Sequence, residues 1–265
     1  MRVNLTKHHA LGNDFLVLPL DQPLPRLAWS AIAERLCDRR RGVGADGLLL
    51  LGPARDGADA SMALYNADGS EAEMSGNGIR CLAQAWARQE GRTGGTVTIV
   101  TRAGLRSVEL LSVQGPRLQA SVTMGPVTPI EEPDGWAALG CDAARPVAHL
   151  SLGNPHSVVA VDDVGAVDLV TLGAKVPQVN LEIVEPGPEP DAVTMRVHER
   201  GAGITEACGT GACAAAFAAA HWGLVDRGTT EITVHMDGGD AKVRLGDEAV
   251  LIGPATFVAS VQAEL

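Results

Sequence analysis

Two copies of one local sequence pattern lie half a chain apart, and they constrain the fold more than any other feature. Residues 66–81 (NADGSEAEMSGNGIRC) and residues 199–214 (ERGAGITEACGTGACA) align without gaps at a shift of 133 residues. A second motif, Leu-Gly-Asn, occurs at residues 11–13 and again at residues 152–154. Chance matching of Gly- and Ala-rich segments explains either motif alone, but explains poorly why both recur in the same order. We therefore predict two homologous half-molecules with a site between them.

Each half is predicted to be a mostly antiparallel curled sheet or barrel around one central helix. The helical segment after Cys208 contains almost only small side chains, which suits a helix closely surrounded by its own sheet. Helices are predicted over residues 29–40, 78–90 and 210–224. Alternating apolar residues predict strands at 2–8, 15–20, 96–101, 105–111, 117–124, 156–161, 193–198, 231–236 and 241–245.

The fold class is therefore α+β, with two pseudo-symmetric halves and the active site in the cleft between them. The N-terminal half is predicted to comprise residues 1–115, completed by a C-terminal strand at residues 255–265. The C-terminal half is predicted to comprise residues 116–254. A turn-rich segment, PVTPIEEPDGW, follows soon after the predicted boundary.

The composition excludes several classes of protein. With 265 residues, of which 46% are hydrophobic, the chain is long enough for two domains with a substantial core. A formal net charge of −11 argues against binding to nucleic acid, which requires clustered Lys and Arg. The N-terminus has no signal peptide, and no run approaches the ~20 apolar residues of a membrane span. We expect a cytoplasmic protein without nucleic-acid or membrane partners.

One cysteine has a setting that indicates chemistry. The five cysteines show no Cys-x-x-Cys or zinc spacing, so no metal is expected. Cys208 differs from the others because Gly209-Thr210-Gly211 and a helical segment follow it directly. The start of a helix presents unpaired N–H groups and a partial positive charge, which lower the pKa of a thiol beside it. We therefore predict that Cys208 is a thiolate at neutral pH.

The matching loop of the first copy, Ser75-Gly76-Asn77-Gly78, also precedes a helix. Its N–H groups and those after Cys208 are suited to a carboxylate, which indicates an amino-acid-type substrate. Other side chains suited to the ammonium and carboxylate groups of such a substrate lie nearby in the repeats: Asn13, Asn66, Asn154, Asn180, Glu199 and Arg200.

Several motifs together resemble the diaminopimelate epimerase family. They are LGNDF at residue 11, GVGADG at residue 42, GNPH at residue 153, VN at residue 179 and the two repeats, and they span residues 11–216. The resemblance implies a homodimeric, cofactor-independent enzyme of lysine and cell-wall precursor synthesis. It would invert one α-carbon, converting LL- to meso-diaminopimelate. A thiolate would remove the α-proton while a thiol on the opposite face delivers another.

By this resemblance Cys208 occupies one thiol position, and Ser75 stands at the other. His156 and Glu199 would tune the protonation of the thiols. Pyridoxal phosphate is not required, and no cofactor is expected. The α-carboxylate would bind to backbone groups of Gly76, Asn77, Gly209 and Thr210. The rest of the substrate would be held by Asn13, Asn66, Asn154, Asn180, Glu199 and Arg200.

Ser75 is the departure from the family pattern that matters most. An alcohol is a far weaker acid than a thiol, so it cannot hold the anion that removes a proton. Three explanations stay open: an introduced replacement, a natural serine activated by a neighbouring base, or a changed activity such as a one-base isomerase or dehydratase. Gly47 and Ile204 also replace residues that are usually polar in the family, which affects the distal end of the substrate.

Two rival functions come from other classes. A serine hydrolase would use Ser75 with His156 and Glu199, although Ser75 does not sit between two glycines as in a nucleophile elbow. A non-catalytic protein that binds an amino acid would use the same helix starts without chemistry. Exchange of the α-proton with solvent separates a catalyst from a binder.

Overall fold

The computed structural model describes residues 2–20 and 28–265. The chain forms two compact units. The first unit comprises residues 1–122 and 253–265, and the second unit comprises residues 123–252. None of the helices in the described ranges is long and apolar enough to cross a bilayer.

Seventeen strands and four α-helices are found in the described residues. The strands are β1 (Arg2–Ala10), β2 (Asn13–Pro19), β3 (Gly47–Gly52), β4 (Ala60–Asn66), β5 (Glu71–Ala72), β6 (Gly95–Thr101), β7 (Gly104–Gln114), β8 (Arg117–Gly125), β9 (Thr128–Pro129), β10 (Val147–Ser151), β11 (Pro155–Ala160), β12 (Asn180–Pro186), β13 (Ala192–Glu199), β14 (Gly203–Thr205), β15 (Glu231–Met236), β16 (Gly239–Arg244) and β17 (Ala249–Glu264). The α-helices are α1 (Trp29–Cys37), α2 (Gly76–Gln89), α3 (Leu169–Gly173) and α4 (Gly209–Trp222).

In the first unit, eight strands pair side by side in a ring that closes on itself. Their order is β1, β2, β3, β4, β6, β7, β8 and β17, and β17 pairs again with β1. The pairs β2–β3 and β4–β6 are parallel. The chain crosses over through α1 for the first of these pairs and through α2 for the second. Such a barrel leaves no edge strand in the ring unpaired.

The helix α2 lies inside this barrel, against β1, β2, β3 and β4. Eleven of its 14 residues are buried, so the barrel encloses most of the helix. Three of the buried side chains are polar, and two of them bind main-chain carbonyls of β17. Arg80 Nε donates to Pro254 O at 3.2 Å, and Gln84 Nε2 donates to Ala255 O at 3.1 Å. These bonds satisfy groups whose burial would otherwise be costly.

The second unit repeats the same order of pairings. β10, β11, β12, β13, β15, β16 and the start of β17 pair in sequence, and β11–β12 and β13–β15 are the parallel pairs. The helix α4 is the crossover for β13–β15, as α2 is for β4–β6. This agreement of topology confirms the pseudo-symmetric α+β architecture predicted from the repeats.

The helix α4 shows why its sequence is almost all small residues. It packs against six strands, and ten of its 14 residues are buried. Ala and Gly allow strands to approach such a helix from every side, and Ala also has the highest helix propensity. Gly223 ends the helix in the left-handed conformation, with φ of 71°.

The predicted elements differ from the structure in their bounds and in their number. The predicted helices begin at Gly78 and Thr210, whereas α2 and α4 begin at Gly76 and Gly209. The helix α3 and the strands β3, β4, β5, β9, β10, β12 and β14 were not predicted. β3 is a continuous apolar run, GLLLLG, that is buried on both faces and therefore lacks the alternation that identifies a strand.

A neutral histidine belongs to the core of the first unit. His8 is fully buried, with Nδ1 2.7 Å from Gln84 Oε1 and Nε2 2.8 Å from Thr6 Oγ1. The amide oxygen only accepts, so Nδ1 carries the proton and Nε2 accepts from the threonine. Burial lowers the pKa of His8 from 6.5 to about 4. Between about pH 6.5 and about pH 4, His8 therefore binds a proton in the unfolded chain but not in the folded chain.

We expect the free energy of unfolding to fall as the pH drops from about 6.5 to about 4, with His8 contributing up to ~3 kcal/mol. Urea unfolding of the wild type and of His8→Gln at about pH 7 and about pH 4.5 measures this contribution. The variant lacks the titrating group and should lose less stability between the two pH values. An equal loss in both proteins would contradict the assignment, and the exposed His221→Gln provides the matched control.

Candidate functional site

Cys208 caps the start of α4 in the second unit. Its backbone is extended, and Gly211 N donates to Sγ at 3.4 Å. The Thr210 hydroxyl lies 3.5 Å from the same sulfur. Only 4% of the Cys208 surface is exposed. The sulfur thus takes the place that a Ser or Asp oxygen usually holds at a helix start.

The pKa of Cys208 lies well above its ordinary value. Burial has the largest effect, and the charges of Glu199 and Glu182 raise the pKa further. Hydrogen bonds from Thr210 and from Gly211 N–H act in the opposite direction but do not compensate. The prediction of a thiolate at neutral pH is therefore wrong for the ligand-free chain, because the loss of hydration outweighs the effect of the helix start.

A chain of polar side chains leads away from the sulfur. Asn154 Nδ2 donates to Thr210 Oγ1 at 3.3 Å, and Asn154 Oδ1 lies 3.0 Å from His156 Nε2. His156 Nδ1 lies 2.6 Å from Glu182 Oε1. Both His156 and Glu182 are fully buried. We refer to Cys208, Thr210, Asn154, His156 and Glu182 as the Cys208 network.

Burial raises the pKa of Glu182, whereas the contact with His156 lowers it, and the first effect is the larger. His156 uses both ring nitrogens, one toward Glu182 and one toward Asn154. It therefore makes no hydrogen bond with Glu199, which the serine hydrolase alternative would require.

Three further predicted residues lie at the ends of β12 and β13. Asn180 is buried, and its Oδ1 accepts from the Arg200 backbone N–H at 2.9 Å. Its Nδ2 donates to Pro155 O at 3.0 Å. Glu199 Oε1 accepts from Thr205 Oγ1 at 2.5 Å. Asn180 thus fixes the backbone at Arg200, whose side chain is exposed.

Ser75 caps the start of α2 in the first unit. Its Oγ accepts from Gly78 N at 3.0 Å. Gly76 and Asn77 form the first turn, as Gly209 and Thr210 do in α4. Asn77 Nδ2 donates to Asn13 Oδ1 at 3.3 Å. The structure therefore brings Asn13 to the helix start that carries Ser75.

Charged residues behind Asn13 hold its amide in place. Asp46 Oδ2 accepts from Asn13 Nδ2 at 2.8 Å, and Asp46 Oδ1 pairs with Arg39 Nη2 at 2.6 Å. Arg39 and Lys7 also bind the Asp14 carboxylate. Although burial alone would raise the pKa of Asp14, the hydrogen bonds from Arg39 and Lys7 bring it below the usual value. Sequence reasoning did not identify this network.

The remaining predicted residues are Asn66 and Ile204, which are exposed, and Gly47, which is closely packed. Asn66 is exposed at the end of β4, where its Nδ2 donates to Ser70 Oγ at 3.0 Å. At Gly47 a Cβ would lie 2.9 Å from Tyr65 O, so the backbone leaves no room for a larger residue without a shift. Ile204 in β14 is 37% exposed.

The two helix starts have matching geometry but different chemistry. A Cβ on Gly211 would lie 3.2 Å from Cys208 Sγ, and a Cβ on Gly78 would lie 3.3 Å from Ser75 Oγ. The remaining atom close to each added Cβ differs between the two sites. It is Glu182 Oε1 at 2.6 Å for Gly211, but Leu49 Cδ2 at 3.5 Å for Gly78. An acid thus stands near the thiol, and an apolar side chain stands near the hydroxyl.

The fold, in which a duplicated unit surrounds a central helix with its sheet, is shared with solved structures. The phenazine biosynthesis protein of the PhzF family from Bacillus anthracis shares the fold with a TM-score of 0.79 and 15% identity over all of both chains. A hydroxyproline epimerase from Agrobacterium vitis has a TM-score of 0.72 and 17% identity, covering 98% of this chain and 92% of the other.

Sequence comparison identifies the particular family. The diaminopimelate epimerase of Heliobacterium modesticaldum is 39% identical over 97% of this chain and 98% of its own length. That of Synechocystis sp. is 38% identical over the whole of both chains. The model of the family named diaminopimelate epimerase matches residues 5–130 and 149–258. The chain belongs to the diaminopimelate epimerase family and is an isomerase.

Glu182 is the principal residue that sequence reasoning missed. The signal was present, because the repeat shift of 133 residues pairs Glu182 with Leu49, and an acid in the apolar segment LEIV is unusual. Arg80 was missed for a similar reason, since the same shift pairs it with Cys213.

Replacing Gly211 with Ala should destabilise the second unit by about 1–3 kcal/mol. The added Cβ would lie 2.6 Å from Glu182 Oε1, and the resulting strain exceeds the gain in helix propensity. Urea unfolding measures the change. Gly94→Ala is the matched control, because its nearest neighbour would lie 3.7 Å away. Equal free energies of unfolding for the two variants would show that the Cys208 network accommodates the added methyl group without loss of stability.

Proposed function

We propose that this chain epimerises LL-diaminopimelate to meso-diaminopimelate by proton transfer at the α-carbon, and that Ser75 limits the rate. The main support is the family relationship over the full chain, combined with Cys208 at the capped start of α4. No cofactor takes part in the proposed reaction. The carbanion would instead be stabilised by preorganised N–H donors.

The substrate carboxylate would bind at the first turns of the two helices. Backbone N–H groups of Gly76, Asn77, Gly209 and Thr210 are the proposed donors, because the start of a helix attracts anions. The ammonium group and the distal end of the substrate would contact Asn13, Asn66, Asn154, Asn180, Glu199 and Arg200. His156 and Glu199 would adjust the protonation of the reacting groups.

The proposed inversion needs an anion on one face of the α-carbon and an acid on the other. Cys208 supplies the acid, since its raised pKa keeps the thiol protonated in the ligand-free chain. The α-proton would pass to a base on the opposite face, and the carbanion would take the proton of the thiol. Ser75 is a weak base for this purpose, because an alkoxide is far less stable than a thiolate at neutral pH.

We therefore expect Ser75→Cys to raise kcat/KM for epimerisation by about 10²–10⁴-fold, the usual contribution of a positioned acid or base. Conversion of LL- to meso-diaminopimelate under reducing conditions measures the change. Ser107→Cys, at an exposed position of β7, controls for an added thiol. Equal and negligible rates in the wild type and in Ser75→Cys would argue strongly against the proposal.

A second candidate is a one-base isomerase or dehydratase of the same fold. It is favoured by one observation: an ionisable pair lies beside Cys208, whereas Leu49 and Gly78 adjoin Ser75. Such an enzyme would remove and return a proton on one face only.

Proton exchange in D₂O distinguishes the two candidates. A one-base enzyme should incorporate deuterium at the α-carbon of one epimer without forming the other epimer, whereas a two-base enzyme couples exchange to inversion. Cys208→Ser should abolish exchange in either case, and the buried Cys213→Ser should retain it. If neither the wild type nor Ser75→Cys exchanges the α-proton, both catalytic candidates are excluded, and a non-catalytic protein that binds an amino acid remains.

We also propose that the enzyme is a cytoplasmic homodimer. The family resemblance supports this assembly, and Leu105, Leu111 and Val258 of the first unit expose apolar side chains that association would cover.

A further inference from the structure

A buried carboxylate of the second unit lies outside the set of groups used in the proposed reaction. Glu182 is fully buried in β12, between the apolar residues Leu181 and Ile183. One of its oxygens contacts His156, but Oε2 is buried and has no hydrogen-bond partner among the described residues. A half-satisfied carboxylate is costly to bury, which indicates a function other than stability.

This carboxylate lies close to the sulfur of Cys208. The position of a Cβ on Gly211 would be 2.6 Å from Glu182 Oε1 and 3.2 Å from Cys208 Sγ. The two atoms are therefore less than about 6 Å apart, a distance at which a charge shifts the pKa of its neighbour. The absence of a side chain at Gly211 leaves this approach open.

The fold itself does not require an acid at this position. The first unit has the same strand pairing, and there Leu49 replaces Glu182 and Phe15 replaces His156. Phe15 pairs with Gly47 in the same register in which His156 pairs with Asn180. Packing is thus satisfied by apolar residues in one unit, while the other unit keeps an ionisable pair.

The hydrogen bonds fix the orientation of the His156 ring between Asn154 and Glu182. Asn154 Nδ2 donates to Thr210 Oγ1, so its Oδ1 faces His156 Nε2 and can only accept. Nε2 therefore carries a proton. Nδ1 lies 2.6 Å from Glu182 Oε1. The same oxygen is the one that approaches Cys208 Sγ.

We propose that Glu182 is a positioning residue that, with His156, keeps the Cys208 thiol protonated in the free enzyme and so makes it the proton donor. This inference rests on the proposed function. The charged groups that act on the sulfur are Glu182 of β12 and Glu199 of β13, with His156 of β11 behind Glu182. The first turn of α4 contributes no acidic side chain. In the donor step the S–H bond breaks, its electron pair stays on sulfur, and the carbanion pair forms the new C–H bond.

The test is the pH dependence of Cys208 alkylation by iodoacetamide, followed by mass spectrometry of the Cys208 peptide. Each rate is divided by its plateau at high pH, so that only the midpoint is compared. Glu182→Gln keeps the hydrogen bond, because its amide can donate to Nδ1, but removes the charge. Its midpoint should fall by about one pH unit, which raises the rate about tenfold at a fixed pH below it.

Glu185→Gln is the matched control, because it removes the same charge from the same strand at a carboxylate that binds Val164 N. It should leave the midpoint unchanged. Glu182→Leu reproduces the arrangement of the first unit and should also lower the midpoint. Identical midpoints for the wild type and Glu182→Gln, or an equal shift in Glu185→Gln, would overturn the proposal.

The alkylation experiment requires no substrate, so it tests the role of Glu182 separately from the proposed function. The midpoint can stay unchanged while epimerisation is observed, and it can shift while epimerisation is absent. In the Ser75→Cys background the kinetic profile adds a second readout. The loss of kcat/KM on the basic side should move to lower pH by about one unit when Glu182→Gln is added. A decrease in kcat/KM by the same factor at every pH would instead indicate that Glu182 has a structural role only.

Discussion

The capping bond at the start of each central helix is the interaction on which the site depends. Cys208 and Ser75 each accept a hydrogen bond from the N–H three residues further along. This bond fixes the side chain at the first turn of a helix that is itself enclosed by its sheet. A reactive group is thereby held by backbone geometry, which is more rigid than a side chain on a loop.

The sequence repeat was sufficient to predict the duplicated architecture and to place both helix starts to within two residues. It was sufficient because glycines and helix starts are local features. The protonation of Cys208 was predicted incorrectly, since its sign depends on how fully water is removed from the sulfur. That property depends on how the strands pack around α4, which the local sequence does not show. β3 and β12 themselves were missed, because strands buried on both faces do not alternate.

The two units show how a duplicated fold can acquire different chemistry. The pairing of strands and the capped helix are common to both, yet the charged groups near the cap differ. Arg80 binds Gly76 O and Asn77 Oδ1 in the first unit, whereas Glu182 lies near Cys208 in the second. Leu49 and Phe15 fill the same positions as Glu182 and His156. The interior positions beside the cap therefore differ between the halves while the pairing of strands stays the same. Such differences give the two helix starts different surroundings.

The strand β17 gives the chain an unusual order of assembly. Its later residues close the barrel of the first unit by pairing with β1, and Arg80 and Gln84 bind its carbonyls. In the sequence these residues follow all of the second unit. On the ribosome the barrel of the first unit must therefore wait, with the edges of β1 and β8 open, until these residues emerge. The part of the protein that is made first is completed last, which reverses the usual order of domain folding during translation.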